Sequence, residues 1–140
     1  MSDVVTRRRR DADLPVLTDI IERQQSETHY PLRWPWPGEL EHFVRRPSEL
    51  EAWVAELDGK VVGHVAVQSV ADDDIGRMWA AAHEVPVSAL RCISGLFADR
   101  RRAGRGVGSA LLARATQRVL AEGGAPCLDV VADHVEPVQL

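Results

Sequence analysis

Cysteine is scarce: the 140 residues carry two, Cys92 and Cys127, and neither sits in a Cys-x-x-Cys pair. No histidine cluster at ligand spacing accompanies them, so no metal site is expected. Each lies in an apolar, strand-like run, which predicts two buried thiols. A disulfide is not expected in a reducing compartment. An excess of positive charge is also lacking. The 17 lysines and arginines against 21 aspartates and glutamates leave a net charge of −4, the wrong balance for a protein that grips nucleic acid. The run Arg7 to Arg10 does not reverse this, because alternate arginines on a strand face opposite sides and no aromatics interleave them. No apolar run approaches the ~20 residues that a membrane-spanning helix needs. The start, MSDVVTRRRR, lacks the apolar stretch of a signal peptide. Nucleic acid and membrane are therefore not expected as partners, and a cytoplasmic location is implied. The acidic run Asp72 to Asp74 lacks the ligand spacing of a calcium-binding loop and reads as a solvated loop.

What is present is ordinary for a globular protein: 45% apolar and 27% charged residues. The length predicts one domain over residues 1–140, large enough to hide roughly two-thirds of its unfolded surface. Val4 to Arg9 alternates weakly and reads as a first strand. Asp11, Asp13 and Pro15 mark a helix start, a capping carboxylate followed by proline in the first turn. Leu14, Leu17, Ile20 and Ile21 recur at helical spacing, which predicts a helix from Asp13 to about Gln25. The stretch THYPLRWPWPGE holds three prolines and predicts irregular chain, followed by a short helix over Glu39 to Arg45. Glu51 to Leu57 and Lys60 to Val70 read as strands joined by Asp58-Gly59, a hairpin signal. Ile75 to His83 reads as a short helix and Ser88 to Ala98 as a long strand. Val107, Leu111, Leu112, Ala115 and Val119 form a helical stripe that ends near Gly123-Gly124. Pro126 to Ala132 reads as a last strand. The closing strand–helix–strand unit requires a right-handed parallel crossover, whereas the hairpin is antiparallel. The fold class is therefore α/β (α+β), with a mixed, mostly antiparallel central sheet flanked by helices.

The most informative stretch is RRRAGRGVGSALLARA, Arg100 to Ala115, with glycines at 104, 106 and 108 between a strand and a helix. Free amides in the first turn of a helix and the helix dipole attract anions. Glycines let the backbone approach a phosphate closely, and successive amides form a concave nest. Arg100, Arg101, Arg102 and Arg105 add positive charge. The motif is not GxxxxGK[ST], and GxGxxG fails in both registers, at Ser109 or at Leu111.

Here the chain resembles a family. LFADRRRAGRGVGSALL is similar to the acetyl-CoA-binding motif of the GNAT superfamily of N-acetyltransferases. VTRRRRDADLPVLTDII resembles the family's first strand and helix, and WVAELDGKVVGHVAV its hairpin. LRCISGLFAD resembles its fourth strand and CLDVVADH its fifth, so the resemblance covers nearly the whole chain. The signature [QR]-x-x-G-x-[GA] fits in two registers. One runs from Arg101 through Gly104 and Gly106. The other starts at Ala103 and ends on Gly106 and Gly108, and it matches the family's loop-to-helix spacing better.

The resemblance implies acetyl-CoA-dependent transfer to a primary amine of a small molecule or peptide, by direct attack in a ternary complex. It implies that Arg102, Ala103, Gly104, Arg105, Gly106, Val107, Gly108 and Ser109 hold the pyrophosphate. The backbone of Leu96, Phe97 and Ala98 would pair with the pantetheine arm. It supports Tyr30, Trp34 and Trp36 as the acceptor side, against a reading in which the tryptophans pack into and cover the core. Glu56 and His64, on the hairpin, are the candidate general bases, weighed against a surface glutamate and a hydrogen-bonded strand histidine. Asp99 reads as a turn residue, and Asp133 and His134 as surface residues. The family's thiolate acid is commonly a tyrosine within A-x-x-L-Y. PVQL, Pro137 to Leu140, resembles its first four positions with proline for alanine, and the sequence stops where the tyrosine would follow. The family's last two strands are missing as well, so the expected fold is C-terminally incomplete, either as a fragment or as a natural truncation without the usual acid. The departure supports an alternative, a catalytically impaired acyl-CoA-binding or regulatory module. It also leaves the last strand with an open edge, which a second copy would cover in a homodimer.

Overall fold

The computed structural model describes residues 3–128. Five strands form one sheet in the order β1-β2-β3-β4-β5: β1 Val5–Arg8, β2 Glu49–Leu57, β3 Lys60–Ser69, β4 Leu90–Ala98 and β5 Ala125–Leu128. The first three pairings are antiparallel and the last is parallel, as the hairpin and the closing crossover require. Four α-helices accompany the sheet: α1 Leu14–Thr28, α2 Glu41–Val44, α3 Asp74–His83 and α4 Val107–Ala121. None is long and apolar enough to cross a membrane.

Local chemistry accounts for most of these boundaries. Asp58 and Gly59 both take left-handed conformations, φ 54° and 75°, the turn that matches strand twist in a two-residue hairpin. The Asp73 carboxylate caps α3 by accepting from the Gly76 amide at 2.8 Å. The start of α1 departs from expectation. The Asp13 side chain does not cap that helix; it accepts from the Arg10 amide at 2.7 Å and pairs with Arg7 at 2.8 Å, closing a 3-10 turn over Asp11–Asp13. The helix then runs three residues beyond the expected Gln25, to Thr28.

Alternation along the strands divides two apolar clusters between the faces of the sheet. On one face α4 sets Val107, Leu111, Ala115 and Val119 against Trp53 and Val65. On the other, α1 and α2 bring Leu17, Ile20 and Phe43 onto Val54 and Phe97. The first-strand arginines alternate likewise: Arg9 is buried, while Arg8 is exposed. The two thiols are half-buried rather than buried. Cys92 lines a cavity open to solvent, and Cys127, its neighbour in register, lies on the end strand of the described sheet. The rest of the expected last strand, with Asp133, His134 and PVQL, lies outside the described residues.

Candidate active site

β4 and the loop after it carry the site. The loop begins at Asp99, whose side chain is 5% exposed and accepts from the Arg101 amide at 3.0 Å. Burial pushes the Asp99 carboxyl up, but the Arg101 amide and the Arg101 and Arg23 guanidinium groups outweigh it and hold the group below the usual carboxylate range. Gln24 of α1 grips the same point from both sides. Its amide donates to the Ala98 carbonyl at 2.9 Å and its oxygen accepts from the Arg100 amide at 3.0 Å. Asp99 is thus an anchor of the turn, as read from the sequence.

Beyond this anchor the chain makes two left-handed residues, Gly104 at φ 80° and Gly106 at φ 78°. At both, and at Gly108, the space a Cβ would occupy is empty to 4 Å. Gly106 is the N-cap of α4, and the first helical bond runs from the Ala110 amide to its carbonyl at 3.1 Å. The amides of Val107, Gly108 and Ser109 therefore have no partner within the helix. The Val107 side chain is buried under the sheet, so only its backbone is offered. Ala103, Arg105 and Ser109 are exposed and Arg102 is half-buried. Beside the loop, Arg23, Lys60, Arg101 and Arg102 border a cavity of about 520 Å³. An exposed glycine ridge, unpartnered amides and clustered cations fit a diphosphate.

The second feature is a bulge in β4. Between the pairs His64↔Phe97 and Ala66↔Ser94, Gly95 and Leu96 together oppose Val65 alone. Gly95 takes φ 61°. Its carbonyl meets His64 Nδ1 at 2.8 Å, and its backbone and the Arg46 guanidinium both oppose the rise that burial gives the Tyr30 pKa. His64 has 0% exposure, stacks on Phe97 with centroids 5.5 Å apart, and meets the Arg9 guanidinium through Nε2 at 3.0 Å. Arg9 is itself held by Glu49 through two bonds of 2.6 Å. A carbonyl only accepts, so Nδ1 carries the proton and Nε2 accepts from Arg9. Burial is the main cause that lowers the His64 pKa to about 4.

His64 is fully buried, with both ring nitrogens engaged and its pKa lowered by burial, an arrangement that suits a brace between β3 and the β4 bulge. Glu56 lies on the same sheet face, with its carboxylate on Arg7 at 2.6 Å. Of the aromatics, Tyr30 and Trp36 pack edge-on against Phe43 at 5.2 and 5.0 Å, whereas Trp34 is 40% exposed. Burial raises the Tyr30 pKa. Sequence reasoning missed Arg46 and a polar line that runs from Ser48, just before β2, across the end of β3 to the middle of β4. Ser48 donates to the Gln68 carbonyl oxygen, and Gln68 Nε2 donates to Ser94 Oγ at 2.6 Å. The only available signal was a lone polar residue near the end or middle of an apolar strand.

Comparison with known proteins bears on this geometry. Solved structures share the fold. An aminoglycoside acetyltransferase from an uncultured soil metagenomic sample, in complex with trehalose, is 20% identical with a TM-score of 0.60, covering 95% of this chain and 80% of that one. The ribosomal-protein-S18-alanine N-acetyltransferase of Escherichia coli is 18% identical with a TM-score of 0.62, covering 94% and 70%. A GNAT family acetyltransferase from Brucella melitensis, in complex with acetyl-CoA, is 17% identical with a TM-score of 0.58, covering 93% and 78%. No curated protein matches the chain. The family model described as acetyltransferase (GNAT) family matches residues 17–138, a span that includes the bulged strand, the glycine loop and the helix it caps. The chain belongs to the GNAT acetyltransferase family.

Proposed function

We propose that the chain transfers the acetyl group of acetyl-CoA to a primary amine of a small molecule or peptide, by direct attack while both are bound. The observation that carries this reading is the open glycine ridge, Gly104 to Gly108, running into the free amides of α4 directly after a bulged strand. Acetyl-CoA supplies the activated acetyl thioester. The amides of Gly104 to Ser109 hold its pyrophosphate, with Arg102 and Arg105 adding charge. The backbone of Leu96, Phe97 and Ala98 pairs with the pantetheine arm as an added strand would. One backbone amide at the bulge donates to the thioester oxygen, a contact of a kind worth ~3 kcal/mol in other acyl transfers. Tyr30, Trp34 and Trp36 form the acceptor side. Glu56, whose carboxylate rests on Arg7, is the candidate retained to receive the amine's proton.

Isothermal titration of the protein with acetyl-CoA, beside desulfo-CoA and ATP, tests the cofactor. Saturable binding with ATP much weaker is expected. Gly106→Val should weaken acetyl-CoA at least about tenfold, because a β-branched residue resists the left-handed conformation and covers the ridge. The empty space at that position confines the cost to backbone strain, and circular dichroism checks that the variant is folded. Undiminished binding by the folded variant would overturn the phosphate assignment. Turnover with any amine separates the enzyme from a binding module that has lost catalysis.

A further inference from the structure

A second cavity, of about 230 Å³, opens on the sheet face that carries Tyr30 and Phe97. Gln68, Cys92 and Ser94 floor it, Ile75 and Trp79 of α3 wall it, and Arg46 borders it. Ser94 directly precedes the bulged Gly95, so one end of the cavity abuts the strand segment assigned to the thioester. The floor is fixed by the Gln68–Ser94 bond of 2.6 Å, and Gln68 is 7% exposed.

Arg46 is the cavity's distinctive group. Its Nε donates to the Phe43 carbonyl at 3.0 Å, and its guanidinium carbon lies 4.6 Å from the centre of the Phe43 ring. Its positive charge lies close enough to the Tyr30 hydroxyl to oppose the rise that burial gives the Tyr30 pKa. These contacts fix the guanidinium, but none neutralises it: among the described residues no carboxylate is ion-paired with Arg46. The acidic residue on the cavity, Asp73, has its carboxylate turned to the start of α3, where it accepts from the Gly76 amide. A pre-positioned cation with remaining donors suits a carboxylate, and the Ile75 and Trp79 wall suits an apolar body.

We infer that this cavity is the acceptor subsite and that it selects small amino carboxylic acids. The amine lies at the Ser94–Gly95 end, the carboxylate lies on Arg46, and the apolar body lies against Ile75 and Trp79. Arg46 is then the specificity-determining residue. The inference rests on the acetyl-transfer reading above. Transfer exchanges the thioester C–S bond for an amide C–N bond, and the proton lost by the amine ends on the released thiol.

The test is acetylation of matched acceptors by the full chain with acetyl-CoA: phenylalanine, phenylalaninamide and phenethylamine, read as thiol release. Phenylalanine should exceed both partners in kcat/KM by about tenfold, the scale of one charge-assisted hydrogen bond. Arg46→Gln should remove that preference through KM while acetyl-CoA affinity, measured by titration, stays unchanged. Arg46→Lys should retain part of it, and Arg46→Glu should favour phenethylamine. Equal use of the three acceptors, or a preference that survives in Arg46→Gln, overturns the subsite while acetyl transfer stands. Failure of the wild-type chain to bind acetyl-CoA overturns acetyl transfer and this inference together.

Discussion

Burial of the His64 imidazole sets its charge, and the charge sets a pH dependence. In the unfolded chain a histidine gains a proton below about pH 6.5; in the fold His64 gains one only near pH 4. Its stabilising contribution is therefore complete above pH 6.5 and is lost as pH falls toward 4, by roughly 3 kcal/mol. Asp13, held low chiefly by Arg7, and Asp99, held low by Arg101 and Arg23 against its burial, add a further loss as pH falls below the ordinary carboxylate range. Urea unfolding at pH 7 and pH 4.5 reads the first part. The wild type should lose most of the 3 kcal/mol, and His64→Gln should show a much flatter response. A wild-type stability unchanged over that range would mean that His64 is not held neutral. This residue also marks where reading the sequence stops. The glycines at 104 and 106 announce themselves by type and spacing, because a left-handed backbone is a local demand. The role of His64 depends on Arg9, 55 positions away, and on Gly95, 31 positions away. Arg46 is equally silent, since its meaning comes from Phe43, Tyr30 and a cavity built by three separate segments.

At the scale of elements, the contact between α4 and β3 turns on Gly63. A Cβ there would stand 2.9 Å from side-chain atoms of both Leu111 and Val107, and 3.0 Å from the Phe97 carbonyl. The helix approaches the sheet this closely because the strand has no side chain at that point. Gly63→Val should cost ~1–3 kcal/mol, the usual range for overpacking a core, and should move the capped start of α4. Thermal melting reads the first effect and acetyl-CoA titration the second. Leu111→Ala, which empties rather than crowds the same contact, should cost ~2–5 kcal/mol. The element order was legible because each element carries its own signal: apolar period, Asp-Gly turn, glycine stops. The bounds slipped where partners across the sheet decide. β2 begins at Glu49, two residues earlier than the apolar run suggests, because Glu49 pairs with Gln68. The bulge at Gly95 was not legible, since it exists only as a mismatch of register between β3 and β4.

Across the whole molecule the charge is unevenly spread. The net charge is −4, yet Arg100, Arg101, Arg102 and Arg105 crowd one loop beside Arg23 and Lys60. An anionic ligand is drawn to that loop by charges that salt screens over ~10 Å at 0.1 M. Raising salt from about 50 to 500 mM should weaken acetyl-CoA binding several-fold and leave the neutral parts of acceptor recognition untouched. A salt-independent affinity would assign the binding to the amides alone. The two apolar clusters that hold the sheet draw their buried side chains from the strands and from α1, α2 and α4, and none from α3. That helix is the wall of the cavity beside the bulge. The α3 wall of that cavity thus lies outside both clusters and away from the loop that would hold the nucleotide, although Arg46 on its rim rests on Phe43 of one cluster. Apart from the buried Gly76 and Ala80, changes at exposed α3 positions such as Ile75 can accumulate at little risk to either cluster, so acceptor preference is the trait this architecture leaves most open to diversification.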